Sequence, residues 1–288
     1  MYQVTQSLVS GILTGGIFAL LGVGFSLTWG VTRAINVAHA AFAVIAAYVA
    51  YWLLQMFHVD PLLALVLIVP LMFSLGVAFH RTLIKPTGER THDLELASMM
   101  LTFGLAAAIE NGIAYVWSPD PRVINTVYTG KALSIAGISM PIAHILGFGL
   151  ALATIAALYF YLERTFTGKA VRAVWQNRVG AALCGIDLER VTSITYGLAL
   201  ASAGVAGVAM ALIYTFDPAT QFSWLIYAFL VVIFGGVGSV LGSLLAGLFI
   251  GIVLGLSGLL IPFAWSNLLL FAMLIAFLFW RPTGLLRR

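Results

Sequence analysis

The chain has 288 residues, of which 62% are hydrophobic and only 8% charged, against about 25% charged for an ordinary soluble protein. The formal charge is +4, but the basic residues sort by side between apolar runs, which excludes nucleic acid as a partner and identifies a polytopic membrane protein. A lone cysteine, Cys184, excludes an internal disulfide and a cysteine metal cluster, and it reads as a small packing residue.

Nine apolar segments are expected, roughly at 7–29, 34–54, 61–84, 94–117, 141–162, 191–213, 224–238, 240–261 and 265–280. The fold class is all-α, with about eight or nine transmembrane helices, some short or broken. An outside N-terminus and an inside C-terminus put Arg33, Arg81, Lys85, Arg90, Arg164, Lys169, Arg172, Arg178, Arg190, Arg281, Arg287 and Arg288 on the inner side. Only Arg122 and Lys131 fall outside, the charge bias that the positive-inside rule requires. The opening MYQVTQ lacks the basic region of a signal peptide, so the first segment is expected to remain as a span.

The first segment is rich in glycine, and Gly11 and Gly15 form a small-xxx-small pair. Such glycine serves either tight helix packing or local unwinding. Only four residues separate Trp29 from Ala34, so the chain turns or breaks within the membrane. Asn36 and His39, three apart, are expected on one helical face as a structural hydrogen-bonding pair facing the interior or a water-filled path. His58 to Pro61 reads as a short outer turn, Pro70 as a kink in the third span, and Arg81 to Glu95 as an inner connector.

Glu110 and Asn111 lie deep in the fourth span. A carboxylate there costs about 2.5–3.5 kcal/mol, so Glu110 is expected in a structural hydrogen bond near the permeation path, with a proton relay as the alternative. The extracytoplasmic loop 118–140 is expected to carry a small hairpin. Gly130-Lys131 is not a P-loop, and no other stretch supplies one.

The loop 163–190 is the longest polar interruption of the chain. Lys169 to Cys184 is expected as one short amphipathic helix, with Thr167 as N-cap, Gly185 as the stop and Asp187 capping the next helix. Too short to span a membrane, it needs a surface to lie against, either the membrane or a partner protein. In the sixth span Ala203, Gly204 and Gly207 form a small-residue face. The run Phe234 to Ser239, with Gly235 and Gly236, then interrupts the apolar sequence, a break tolerated only beside protein or a water-filled cavity. Gly247, Gly251 and Gly255 recur every four residues, a close-packing face that suits this chain or another subunit.

Four separated motifs, in order, resemble the permease subunits of branched-chain amino-acid ABC importers. They are Phe18-Ala19-Leu20 with Gly24, Gly30 and Asn36-Val37-Ala38-His39; Thr167-Gly168-Lys169 with Arg172-Ala173, Ala181-Ala182 and Gly185-Ile186; the late glycine run with Gly242; and Trp280 to Leu285. Ala40 stands where the family usually has glycine, and Ala-Ala-x-x-Gly is a degenerate form of the loop motif that meets the ATPase. The resemblance implies one membrane domain over residues 1–288 in the bacterial inner (cytoplasmic) membrane. It also implies a second related permease, two cytoplasmic ATPases that carry the ATP and Mg, and a periplasmic substrate-binding protein. The substrate class it implies is branched-chain amino acids or small relatives such as amides, urea or organic acids.

On this reading the chain is no enzyme and binds no cofactor or metal. Asn36, His39, Glu110, Asn111, Gly235 and Gly236 are expected beside the substrate pathway, and Lys169, Arg172, Arg178, Ala181, Ala182 and Gly185 couple to the ATPase. The rivals are a proton-coupled secondary transporter titrating through Glu110 and His39, and a structural subunit without a pathway.

Overall fold

The computed structural model describes residues 2–135, 137–260 and 262–280, helical apart from one hairpin. At its centre stand α1 (Tyr2–Thr32) and α9 (Leu188–Ala211). The most apolar windows of these two are 72% and 83% buried. Around them pack α2 (His39–Phe57), α3 (Pro61–Phe79), α6 (Ile142–Arg164), α10 (Thr220–Gly235) and α11 (Val240–Ser257). On the rim lie α5 (Leu94–Trp117), only 22% buried over its most apolar window, and α12 (Phe263–Trp280). Among the described residues, seven helices are long and apolar enough to cross a membrane. The seventh expected segment is the shorter α10, whose 16 residues span about 24 Å, less than the roughly 30 Å of a hydrocarbon core. The ninth contains a shorter apolar stretch, Leu268–Phe279. Trp280 closes α12; the remaining C-terminal motif from Arg281 to Leu285 and the basic Arg287-Arg288 lie outside the described residues.

Small residues explain why α1 is central. It runs unbroken through its glycines, which serve packing rather than unwinding. Gly11 and Gly15 lie against the α11 face of Gly247, Gly251 and Gly255, so that a Cβ on Gly15 would stand 2.6 Å from the Gly247 carbonyl oxygen. The two four-residue glycine repeats are thus partners within one chain. On α9, Gly204 receives Met72 and Ile68 of α3, while Gly207 meets the backbone of Ala43 on α2.

The loops collect at two ends. At one, β1 (Ala132–Ile135) pairs antiparallel with β2 (Ile138–Pro141) as the expected hairpin. The Gln6 side chain clasps the backbone of Ser139, accepting from its N–H at 2.9 Å and donating to its carbonyl. Arg122 and Phe216 exchange backbone hydrogen bonds at this end, and Tyr128 donates to Asp60 at 3.2 Å. Burial pushes the Tyr128 phenol up to about 12, so it remains a neutral donor. Gln6→Ala is expected to loosen the hairpin by about 1 kcal/mol, read as faster amide exchange at Ser139; unchanged exchange there would show that the clasp holds nothing.

The opposite end carries Arg33, Arg81, Lys85, Arg90, Arg164, Lys169, Arg172, Arg178 and Arg190, while Arg122 and Lys131 sit at the hairpin end. Here the expected connector from Arg81 to Glu95 is mostly helix: a π-helical turn, His80–Ile84, leads into α4 (Lys85–Arg90). Two contacts to α9 hold it, His80 Nδ1 to Ser193 Oγ at 2.9 Å and Lys85 to Glu189 at 2.7 Å.

Candidate functional site

Residues 33–38 leave the helical path between α1 and α2, starting at Arg33 with φ +57°. Unwound backbone inside a bundle needs partners, and α5 supplies them. Ile35 N–H donates to Ser98 Oγ at 3.0 Å and Val37 N–H to Thr102 Oγ1 at 2.9 Å, while Thr102 Oγ1 donates to the Ile35 carbonyl at 3.2 Å. Ser98 and Thr102 were not among the expected residues. The signal was their four-residue spacing with Ala106 and Glu110, which makes one stripe down the helix.

The expected side-chain pair of Asn36 and His39 does not form. Asn36 precedes α2 rather than sharing a helical face with His39, and the bond between the two is from the His39 N–H to the Asn36 carbonyl. Both side chains are fully buried. His39 Nε2 lies 3.1 Å from the Leu21 carbonyl oxygen, but His39 Nδ1 and both polar atoms of the Asn36 amide have no partner among the described residues. Buried atoms left in this state are costly, about 1–3 kcal/mol each.

Glu110 is half-buried, and its Oε2 accepts from Gln221 Nε2 at 2.7 Å, the expected structural hydrogen bond. Gln221, buried at the start of α10, also donates to the Ala106 carbonyl at 3.1 Å. Its position beside a helix start gave no hint of this role. Asn111 is exposed on the rim of α5, donating to the Ala107 carbonyl at 2.8 Å, and among the described residues a Cβ on Gly104 or Gly112 would meet nothing within 4 Å beyond its own helix. Gly235 and Gly236 lie at the far end of α10 from Gln221, about 20 Å along the helix. The six expected pathway residues therefore fall into three places: the buried break, the α5 rim and the α10–α11 turn.

The loop 163–190 holds two helices in place of the expected one, α7 (Phe166–Gln176) and α8 (Arg178–Leu183). The cap of α7 is Thr165, not Thr167, accepting from Gly168 N–H at 3.0 Å, and Asn177 breaks the helix by capping α8 through Gly180 N–H at 2.9 Å. Gly185, at φ +79°, ends the unit and Asp187 caps α9, both as expected. Ala170, Val171 and Val174 are buried, and Gly168 sits on the α6 backbone at Tyr161 and Leu162. Trp175 fits a socket of two glycines: a Cβ on Gly238 would stand 2.6 Å from the indole, and one on Gly30 would stand 2.7 Å from Gly238 Cα. Of the expected coupling residues, Lys169, Arg178, Ala182 and Gly185 are exposed, Ala181 is buried, and Arg172 pairs with Glu163. The apex also exposes Val179 and Leu183, at 70% and 84%, an apolar knob among basic residues.

The family described as "Branched-chain amino acid transport system / permease component" matches residues 7–278. The high-affinity branched-chain amino acid transport system permease protein BraD of Pseudomonas aeruginosa is 26% identical over all of this chain and 97% of its own length. The corresponding protein LivH of Escherichia coli is 24% identical over 98% of this chain and 95% of its own length. The probable branched-chain amino acid transport permease protein LivH of Methanocaldococcus jannaschii is 29% identical over 85% of this chain and 78% of its own length. No solved structure matches the chain. With matching sequence running through the central helices, the buried break and the α7–α8 loop alike, the chain belongs to the family of branched-chain amino acid permease components, a transport subunit and not an enzyme.

Proposed function

We propose that this chain is a permease of an ATP-driven importer in the bacterial inner membrane, one of two related permeases served by two cytoplasmic ATPases and a periplasmic binding protein. Its solutes are branched-chain amino acids or small polar relatives. On this reading α10 and α12 complete nine crossings, the hairpin end is outside, and the basic end is cytoplasmic.

The observation that carries the reading is the α7–α8 unit. One face is clamped to α6 and to α1, while the apex offers Val179, Ala182 and Leu183 beside Arg178. Exposed apolar side chains on a rigid basic knob suit a protein partner in the cytoplasm. The second permease covers the rim of α5, where Asn111 and the open Gly104 and Gly112 would otherwise face lipid. The path follows the α5 stripe from Glu110 towards the break at Asn36 and His39, and the Gly235-Gly236 turn moves with the motors.

Leu183→Glu and Val179→Glu are expected to weaken retention of the ATPase subunits on the purified chain by about tenfold or more, since each buries a charge in the docked state. Arg122→Glu, at the other end, leaves retention intact. If the chain purifies alone and takes up solute in vesicles under a pH gradient, it is a proton-coupled transporter and the importer reading fails.

A further inference from the structure

Glu110 is placed to do more than brace Gln221. Gln221 Nε2, buried between α5 and α10, fixes one carboxylate oxygen at 2.7 Å. The other oxygen accepts no hydrogen bond among the described residues, and the residue is partly exposed. No cation answers it: the two ion pairs among the described residues, Lys85 with Glu189 and Arg172 with Glu163, both lie at the basic end. A carboxylate is costly at this depth, and here it is held on a buried support with one side left open.

The surroundings define what would fill that opening. Phe103, seven residues before Glu110 and so on the same face of α5, is 55% exposed. Its ring centroid lies 6.4 Å from that of Phe222, the neighbour of Gln221. Asn111 has committed its amide N–H to the Ala107 carbonyl, leaving its oxygen as an acceptor. The face thus presents acceptors and aromatic surface, and α5 itself carries no cationic side chain to meet an anion. Glu110 stands seven residues from Trp117, the end of α5, about 10 Å below the hairpin end.

We infer that Glu110, braced by Gln221 and flanked by Phe103 and Phe222, is the site that receives the ammonium group of an amine-bearing apolar solute as it enters the path. This rests on the importer reading above and, among the branched-chain amino acids and small polar relatives named there, narrows it to solutes carrying an amine. The ammonium donates to the free oxygen, a charge-assisted contact, while the apolar part of the solute lies along the two rings. Anionic solutes without an amine are repelled at the same point.

The test uses the complete transporter, purified with its ATPase subunits and placed in lipid nanodiscs. Failure of the importer reading is visible at that purification, before the ligand experiment begins. A hydrophobic carbodiimide is applied and modification of Glu110 is measured by peptide mass spectrometry. Leucine and isoamylamine are each expected to reduce labelling about tenfold at saturation, whereas 4-methylvalerate, the leucine skeleton without its amine, and fructose, a neutral polyol, leave it unchanged. Equal protection by 4-methylvalerate or fructose, or none by the two amines, overturns the assignment. In binding-protein-dependent leucine uptake, Glu110→Gln is expected to raise KM about tenfold and Glu110→Asp to recover most of that loss. An unchanged KM in Glu110→Gln, or a fall in assembled complex that Glu110→Asp shares, assigns Glu110 a purely structural role.

Discussion

Gly251→Ala is expected to destabilise the bundle by about 3 kcal/mol or more, read as a fall in the thermal midpoint and in the yield of monodisperse protein in detergent. The added methyl overlaps the Gly11 carbonyl oxygen and the Gly15 Cα. Both are backbone atoms, so no rotamer change relieves the clash and α1 must separate from α11. Because α1 also packs on α6, α9 and α10, its displacement spreads through the core, where packing tolerates little change of volume. Gly149→Ala on α6 is the control. Among the described residues, a Cβ there would meet nothing within 4 Å beyond its own helix, and alanine favours a helix over glycine by about 1 kcal/mol. A Gly251→Ala protein that melts with the parent, or a Gly149→Ala protein that falls as far, would remove the close-packing account of the α1–α11 contact.

The glycine contact was legible because its pattern is local. Gly11 with Gly15, and Gly247 with Gly251 and Gly255, suggest close faces by spacing, while the choice between packing and unwinding in the first segment and the identity of the partner were open. Gly185 and Asp187 were legible for the same reason, since a left-handed stop and a helix cap act within a few residues. Asn177 was missed as a cap: the amphipathic pattern from Lys169 to Cys184 suggested one continuous helix, which its bond to Gly180 N–H interrupts. What sequence did not show depends on distant partners. Helix continues through Arg90 because His80 and Lys85 find Ser193 and Glu189 more than one hundred residues away. The break at 33–38 is sustained by Ser98 and Thr102, and Glu110 by Gln221. The three-residue spacing of Asn36 and His39 misled because it presumed a helix where Arg33 has already turned the backbone out of one.

Trp175→Ala is expected to separate ATP hydrolysis from transport. The indole is the point where α7, whose partner unit α8 carries the exposed apex, touches the α10–α11 turn, pressed between Gly30 near the end of α1 and Gly238 in that turn. That turn is tied to α1 a second time, through Ser26, whose Oγ accepts from Gly238 N–H at 2.8 Å and donates to the Gly236 carbonyl at 3.4 Å. A displacement of α7 by the motors therefore reaches the α10–α11 turn directly, and through Gly30 it reaches the backbone three residues before the break that holds Asn36. Removing the indole leaves the α8 apex intact but empties the socket, so the ATPase still docks while its motion is no longer passed on. Solute taken up per ATP hydrolysed is expected to fall about tenfold, a loss of about 1.4 kcal/mol in coupling, with Trp175→Phe intermediate. Gly238→Ala attacks the same contact from the other side: at φ +83°, with a Cβ 2.6 Å from the indole, it strains the turn and expels the ring. The measurement is uptake and ATP hydrolysis on the same reconstituted complex. A fall in both by the same factor would mean that Trp175 merely holds α7 in place, whereas hydrolysis that persists while uptake fails identifies the glycine socket as the joint between motor and path.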